Sequence, residues 1–265
     1  MDEQFQNLEP SSENLSQPEE MSFLDKMTGI FTEPSKVFEN VKFFGPKNSD
    51  WVIPILLVIL LTVVTNYIVI SNPDIKAELD AIQRKATEEA FNKAVKEGRM
   101  TEAQKEEQLE QIEKMTSGPT MRIIQYFSIA VFMFVFLFII AAVYYLIWVV
   151  ILKGQGSYSN ALSVYGLASF INMVEIILVA IVSLLMVKLI TGFGLSIFIE
   201  AEKGTTLNYI LSKINPFTFW WLYVVGIGLS KVYSVPKNKS LISIFVLWLV
   251  YVIVAKFIPF LSFGV

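Results

Sequence analysis

Three strongly polar side chains fall inside long apolar runs: Asn172 and Glu175 in one, Lys256 in another. An ionisable group at membrane depth costs about 2.5 to 3.5 kcal/mol on insertion scales, so it is first read as functional. Asn172 and Glu175 are three residues apart and share a helical face. If their two runs are parallel helices, Glu175 and Lys256 lie at similar distances from the same end, where they can form an ion pair or a short polar network along a solute path. A second arrangement keeps them apart: Lys256 reaches the nearby interface on its flexible stem, while Glu175 is protonated or hydrogen-bonded.

Other chemistry is narrowly bounded. The 265 residues include no histidine and no cysteine, which removes the usual general base, zinc-protease motifs, serine–histidine pairs, thiolate nucleophiles and disulfides. Gly154-Gln155-Gly156 and Gly192-Phe193-Gly194 are isolated GxG pieces outside any strand-to-helix turn, so neither predicts a nucleotide site. A net charge of −3 does not suggest nucleic acid. No cofactor, metal site or catalytic residue is expected, and membrane lipids and a protein partner or self-association are the expected contacts.

The elements that must position these side chains are membrane helices. Apolar residues make up 54% of the chain. Five runs approach the roughly 20 residues that cross a hydrocarbon layer, at about 51–70, 123–152, 161–188, 216–235 and 241–262. Asn72-Pro73 and Asn215-Pro216 are helix-start signals, and Gly118-Pro119 breaks the chain before the second run. Trp51, Tyr144, Tyr145, Trp148, Trp220 and Trp221 gather near the proposed interfaces. Gly226, Ser230 and Ser234 recur every four residues, a stripe that admits a close helix, within this chain or in a second copy.

Residues 1–21 are acidic and polar and predict a disordered tail without a cleavable leader. Between the first two runs, 71–122 carries nine Lys and Arg against eleven Asp and Glu. Thin apolar stripes predict two helices within 73–117, parted at Gly98, the second opened by a Thr101–Gln104 capping box. This polar hairpin is read as a solvated cap or a partner site.

Residues 22–47 predict two short amphipathic helices ahead of Trp51. The first carries Phe23, Leu24, Met27, Ile30 and Phe31; the second, N-capped by Thr32 with Pro34 in its early turn, carries Val37, Phe38, Val41 and Phe44. Both are expected in the headgroup layer, apolar side down, as an interfacial anchor.

Orientation follows basic residues in short loops. With the amino terminus inside, inner segments hold eight and outer short loops three, but counting the hairpin raises the outer number to twelve. The expectation is a cytoplasmic amino terminus and an external carboxyl terminus.

Several local patterns resemble the Yip domain family, in the manner of its bacterial members. They are Phe31-Thr32-Glu33-Pro34 with Phe38, Gly154 to Tyr158 (GQGSY), Asn215-Pro216-Phe217 with Trp220, Gly228-Leu229, and Ser234 to Lys239 (SVPKNK). The resemblance covers about residues 22–263. It implies a non-catalytic membrane adaptor or organiser of the bacterial inner membrane, since eukaryotic members interact with Ypt and Rab GTPases in vesicle traffic. Two departures matter: Asn215 stands where the family has an acidic residue, and the 71–122 insert enlarges a loop that is short in the eukaryotic proteins, so Rab binding does not carry over. The expected fold is all-α, a polytopic bundle of five transmembrane helices with an interfacial amino-terminal region and a polar hairpin. A small transporter using Asn172, Glu175 and Lys256 is the rival reading.

Overall fold

The computed structural model describes residues 19–258 apart from 117, 200 and 202–204, and the described residues contain helices and no strands. The expected disordered tail lies outside them up to residue 18, as does the end of the last expected run beyond 258. The helices are α1 (Phe23–Thr32), α2 (Pro34–Phe44), α3 (Ser49–Ile70), α4 (Pro73–Lys96), α5 (Glu102–Thr116), α6 (Pro119–Tyr145), α7 (Tyr158–Ala168), α8 (Phe170–Met186), α9 (Thr206–Lys213), α10 (Pro216–Tyr233) and α11 (Lys237–Phe257).

Local punctuation sets the starts. Asn72 Oδ1 accepts from the N–H groups of Asp74 and Ile75, and Asn215 Oδ1 accepts from that of Phe217, so each Asn satisfies donors that its helix cannot, while proline at the first position gives up an N–H that had no partner. Thr101 and Gln104 form a reciprocal box at the start of α5, and Gly98, with φ of +69°, separates α4 from it. In that left-handed region a Cβ is costly, so glycine suits the reversal.

Among the described residues, four helical stretches are long and apolar enough to cross a membrane: Ser49–Ile70, Ile123–Ile151, Tyr158–Met186 and Lys237–Phe257. The fifth expected run is α10, and it is of a different kind. Its 18 residues include two tryptophans, two tyrosines and a lysine, and ten of them are buried by other helices. It is the internal post of the bundle, packed by α2, α7, α8 and α11.

Two expected spans are not uniform helices. The run read as 161–188 bends at Ser169, whose hydroxyl donates to the Gly166 carbonyl at 2.6 Å; such back-bonding bends a helix without proline. The end of the α6 run widens into a π turn at Leu146–Ile151, which holds the fully buried Trp148. Its indole N–H donates to Ser240 Oγ at 2.9 Å, and Ser240 Oγ donates to the Gly226 carbonyl at 2.7 Å, tying α6, α11 and α10 through polar groups that would otherwise be unsatisfied.

The amino-terminal pair corrects one expectation in detail. Val37, Phe38 and Val41 are fully buried, as is Ile30, so the stripe expected to rest on lipid is covered by protein. The reason is a better-matched apolar surface next door: α2 lies along α10, with Phe31 of α1 against Trp220 (ring centroids 5.8 Å) and Glu39 bonded to Lys231 at 2.5 Å. Leu24, Phe43 and Phe44 keep exposed apolar surface. Thr32 is also not an N-cap: it ends α1, its hydroxyl turned back to the Thr28 carbonyl, and Glu33 occupies the cap position of α2 without a side-chain bond to it.

Candidate functional site

Two constellations stand out. The first fastens the amino-terminal pair to the bundle. Lys26 and Asp50 are 3% and 1% exposed and lie 2.9 Å apart, and the second Asp50 oxygen accepts from the Lys47 N–H at 3.0 Å. A buried ion pair is held only where geometry and further hydrogen bonds offset desolvation, and here the N–H of Lys47 supplies one. Beside it α3 meets α7 with no side chain between. A Cβ on Gly166 would fall 2.3 Å from Trp51 Cα and 2.6 Å from the Asp50 carbonyl oxygen, so only glycine permits this crossing. Trp51 is thereby placed by backbone contact, its ring against Phe138.

On α10 the same device recurs: Gly228 leaves room for the Phe38 ring and Val164, and a Cβ there would lie 2.9 Å from that ring. The GQGSY stretch grips the end of α10. Gln155 N–H donates to the Tyr233 carbonyl at 2.9 Å, Tyr233 OH donates to the Ser157 carbonyl at 2.9 Å, and Gly156 lies flat on the Tyr233 ring. A Cβ on Gly154 would meet two carbonyl oxygens, of Tyr233 and Trp148, below 3 Å. Of the small-residue stripe, Gly226 faces Leu241 and Ile244 of α11, Ser230 Oγ donates to the Val235 carbonyl at 2.7 Å, and Ser234 ends α10 with a left-handed backbone.

The outer side of the pair is polar. Asp25, Thr28, Thr32, Glu33, Lys36, Glu39 and Lys42 are exposed. Thr32 and Glu33 of the FTEP motif, with Asp25, Thr28, Glu19 and Glu20, line an open depression of about 540 Å³. Lys47 bonds Glu20 across 2.5 Å and holds that carboxyl below the usual range.

The second constellation contains the predicted polar residues, but not as an ion pair. Glu175 Oε1 accepts from Asn215 Nδ2 at 2.6 Å and from the Phe193 N–H at 3.3 Å. Lys256 is exposed and donates to Thr206 Oγ1 at 2.9 Å, at the far end of α11. Similar depth did not make Glu175 and Lys256 neighbours, because α10 and the chain leading into it stand beside Glu175. Asn172 is half-buried on α8 and its side chain makes no hydrogen bond among the described residues. Asn215 is therefore a hydrogen-bond donor to Glu175.

Sequence reasoning missed Lys26, Asp50, Gly166 and Tyr233. A buried lysine on an amphipathic helix leaves no local signal, although Gly29, also buried on α1, lies one turn away on the same packed face.

The described residues contain no group of acidic side chains disposed to hold a metal ion. Neither constellation has a nucleophile beside a base: the first is a clasp, the second an acceptor surrounded by donors. No curated protein and no solved structure matches the chain. A family model, that of the Yip1 domain, matches residues 28–258, from α1 through the end of α11. That match takes in the FTEP turn, the glycine crossings, the Tyr233 clasp and the Glu175–Asn215 bond, and this multi-pass membrane protein belongs to the Yip1 domain family.

Proposed function

We propose that the protein is a non-catalytic adaptor or organiser of the bacterial inner membrane, with its amino terminus cytoplasmic and carboxyl terminus outside. The observation that carries this reading is the docking of α1 and α2. Their apolar stripe and a buried ion pair are committed to the bundle, and their outer side is a fixed polar surface with Glu33, Lys36, Glu39 and Lys42 exposed. A surface held rigid by its own fold loses little entropy on binding a protein partner, which is what an adaptor needs. The exposed Phe43 and Phe44, just before α3, suit the headgroup layer, so the pair is both anchored at the membrane and presented from it.

The rival, a transporter working through Asn172, Glu175 and Lys256, has less support, since Glu175 and Lys256 bind different partners. Cross-linking in native membranes followed by mass spectrometry separates the two. One partner captured reproducibly through residues 28–42, and lost on charge reversal at Glu33 and Lys36, supports the adaptor. Proteoliposome flux that depends on Glu175, with no such partner, overturns it.

A further inference from the structure

We infer that residues 187–199 and 205–215, which flank the link from α8 to α10, form re-entrant limbs seated in the hydrocarbon of the bilayer, with α9 facing acyl chains. α8 ends at Val187, whose left-handed backbone (φ +50°) is rare for a β-branched residue and turns the chain back. By Asn215 the chain again meets Glu175, eleven residues before the end of α8, which corresponds to about 16 Å of helix. The connection therefore folds back along the bundle and does not simply cap it.

Irregular backbone at membrane depth survives only where its polar groups find partners in the protein. Several do here, three of them through side chains. Leu189 N–H donates to Glu78 Oε2 at 2.8 Å, Ile190 N–H to Ser183 Oγ at 3.3 Å and Phe193 N–H to Glu175 Oε1. Backbone oxygens receive others: Leu195 N–H donates to the Ile214 carbonyl at 3.1 Å, and Lys188 N–H to the Ser183 carbonyl at 3.1 Å. Glu175 is thus a positioning residue for this segment.

α9 buries Leu211 against the protein and turns other apolar side chains outward. Asn208 Nδ2 donates to the Ala201 carbonyl at 3.2 Å, and the backbone at Ser212 sits against Gly194, where a Cβ would fall 2.5 Å from the Ser212 carbonyl oxygen. Its apolar side faces out, with Leu207 58% and Ile210 49% exposed and Ile214 beside them; Phe198 on the preceding limb is 74% exposed. The occupant of this face is lipid, because it continues a surface that is already lipid-facing. Tyr209 OH donates to the Val252 carbonyl at 2.6 Å and Lys256 bonds Thr206, so α9 is pinned along the last turns of the α11 span, whose Ile253 and Phe257 are exposed. Lys213 lies over the Tyr209 ring, 5.1 Å from its centroid.

The chain has no native cysteine, so single-cysteine variants of the full protein test this directly. Leu207→Cys and Ile210→Cys are compared in membranes with Ile253→Cys on α11 and Lys85→Cys on the exposed face of α4. The expected result is that both α9 positions react with a membrane-impermeant maleimide about tenfold more slowly than Lys85→Cys, before and after permeabilisation. Spin labels there then collide with oxygen more than with a water-soluble nickel chelate, as at Ile253→Cys. Reaction as fast as at Lys85→Cys overturns the inference, because the face is then in water. Low collision with both oxygen and nickel also overturns it, since protein, such as a second copy, then covers the face. Two α9 sites keep the test valid if one variant does not fold.

Discussion

Glu175 and Asn215, forty residues apart, are joined by a 2.6 Å hydrogen bond from the asparagine amide to the carboxylate. Asn215 also caps α10 through its amide oxygen, which accepts from the Phe217 N–H, so one side chain starts the innermost helix and fixes its level against α8. Replacing Glu175 by Gln keeps an oxygen acceptor for both donors, so stability in detergent should stay within about 1 kcal/mol of the parent. Glu175→Leu removes the acceptor and leaves Asn215 and the Phe193 N–H unpaired, with an expected loss of about 1 to 3 kcal/mol per orphaned group. Thermal unfolding of the three proteins measures this, and a Glu175→Gln variant as unstable as Glu175→Leu would show that the charge itself holds the site. Asn215→Asp sets two carboxylates face to face and should destabilise more than Asn215→Ala.

The Lys26–Asp50 pair predicts strong non-additivity. Removing either partner leaves the other charge buried without compensation, at a cost of about 3 to 5 kcal/mol. Lys26→Met or Asp50→Leu alone should therefore be severe, while the double variant should lose clearly less than the sum. A thermodynamic cycle on purified protein gives the coupling. Additive losses would mean that water reaches the pair and that the amino-terminal helices are only loosely docked.

Gly166 and Gly98 separate two reasons for glycine. Gly166→Ala drives a methyl group into Trp51 Cα, which cannot move aside as a flexible side chain would, and overpacking of this kind costs about 1 to 3 kcal/mol or more. Gly98→Ala meets no atom within 4 Å and costs only its backbone strain, about 1 kcal/mol. The first should also shift the emission of Trp51, against which it packs, and the second should not. Equal effects would contradict the close α3–α7 crossing.

Much of the fold was legible because its signals are local. α3 was placed within two residues by its apolar length, and both Asn-Pro starts and the Thr101–Gln104 box depend on neighbours a few positions away. The rest depends on pairings that no window contains. α10 is nearly as apolar as a span, and only its neighbours show it to be internal. The bend at Ser169 has no proline to announce it. Of the candidate site, Glu175 was found as an ionisable residue in an apolar run, and of the two arrangements left open the hydrogen-bonded one, apart from Lys256, is observed; its donors were not legible, because equal depth on two helices does not set which faces meet. Lys26 was unreadable: its 24-residue separation from Asp50 has meaning only once α1 folds back over the start of α3.

The adaptor reading depends on the outer surface of α1 and α2 being occupied in the membrane. A photo-cross-linking residue placed in turn at Lys36, Lys42 and, as a control, Lys85 tests this most directly. The account predicts one discrete adduct of the same partner from both α2 positions, absent from the control and abolished by Glu33→Lys with Glu39→Lys. No adduct from either α2 position, together with solute flux lost in Glu175→Gln, would contradict it.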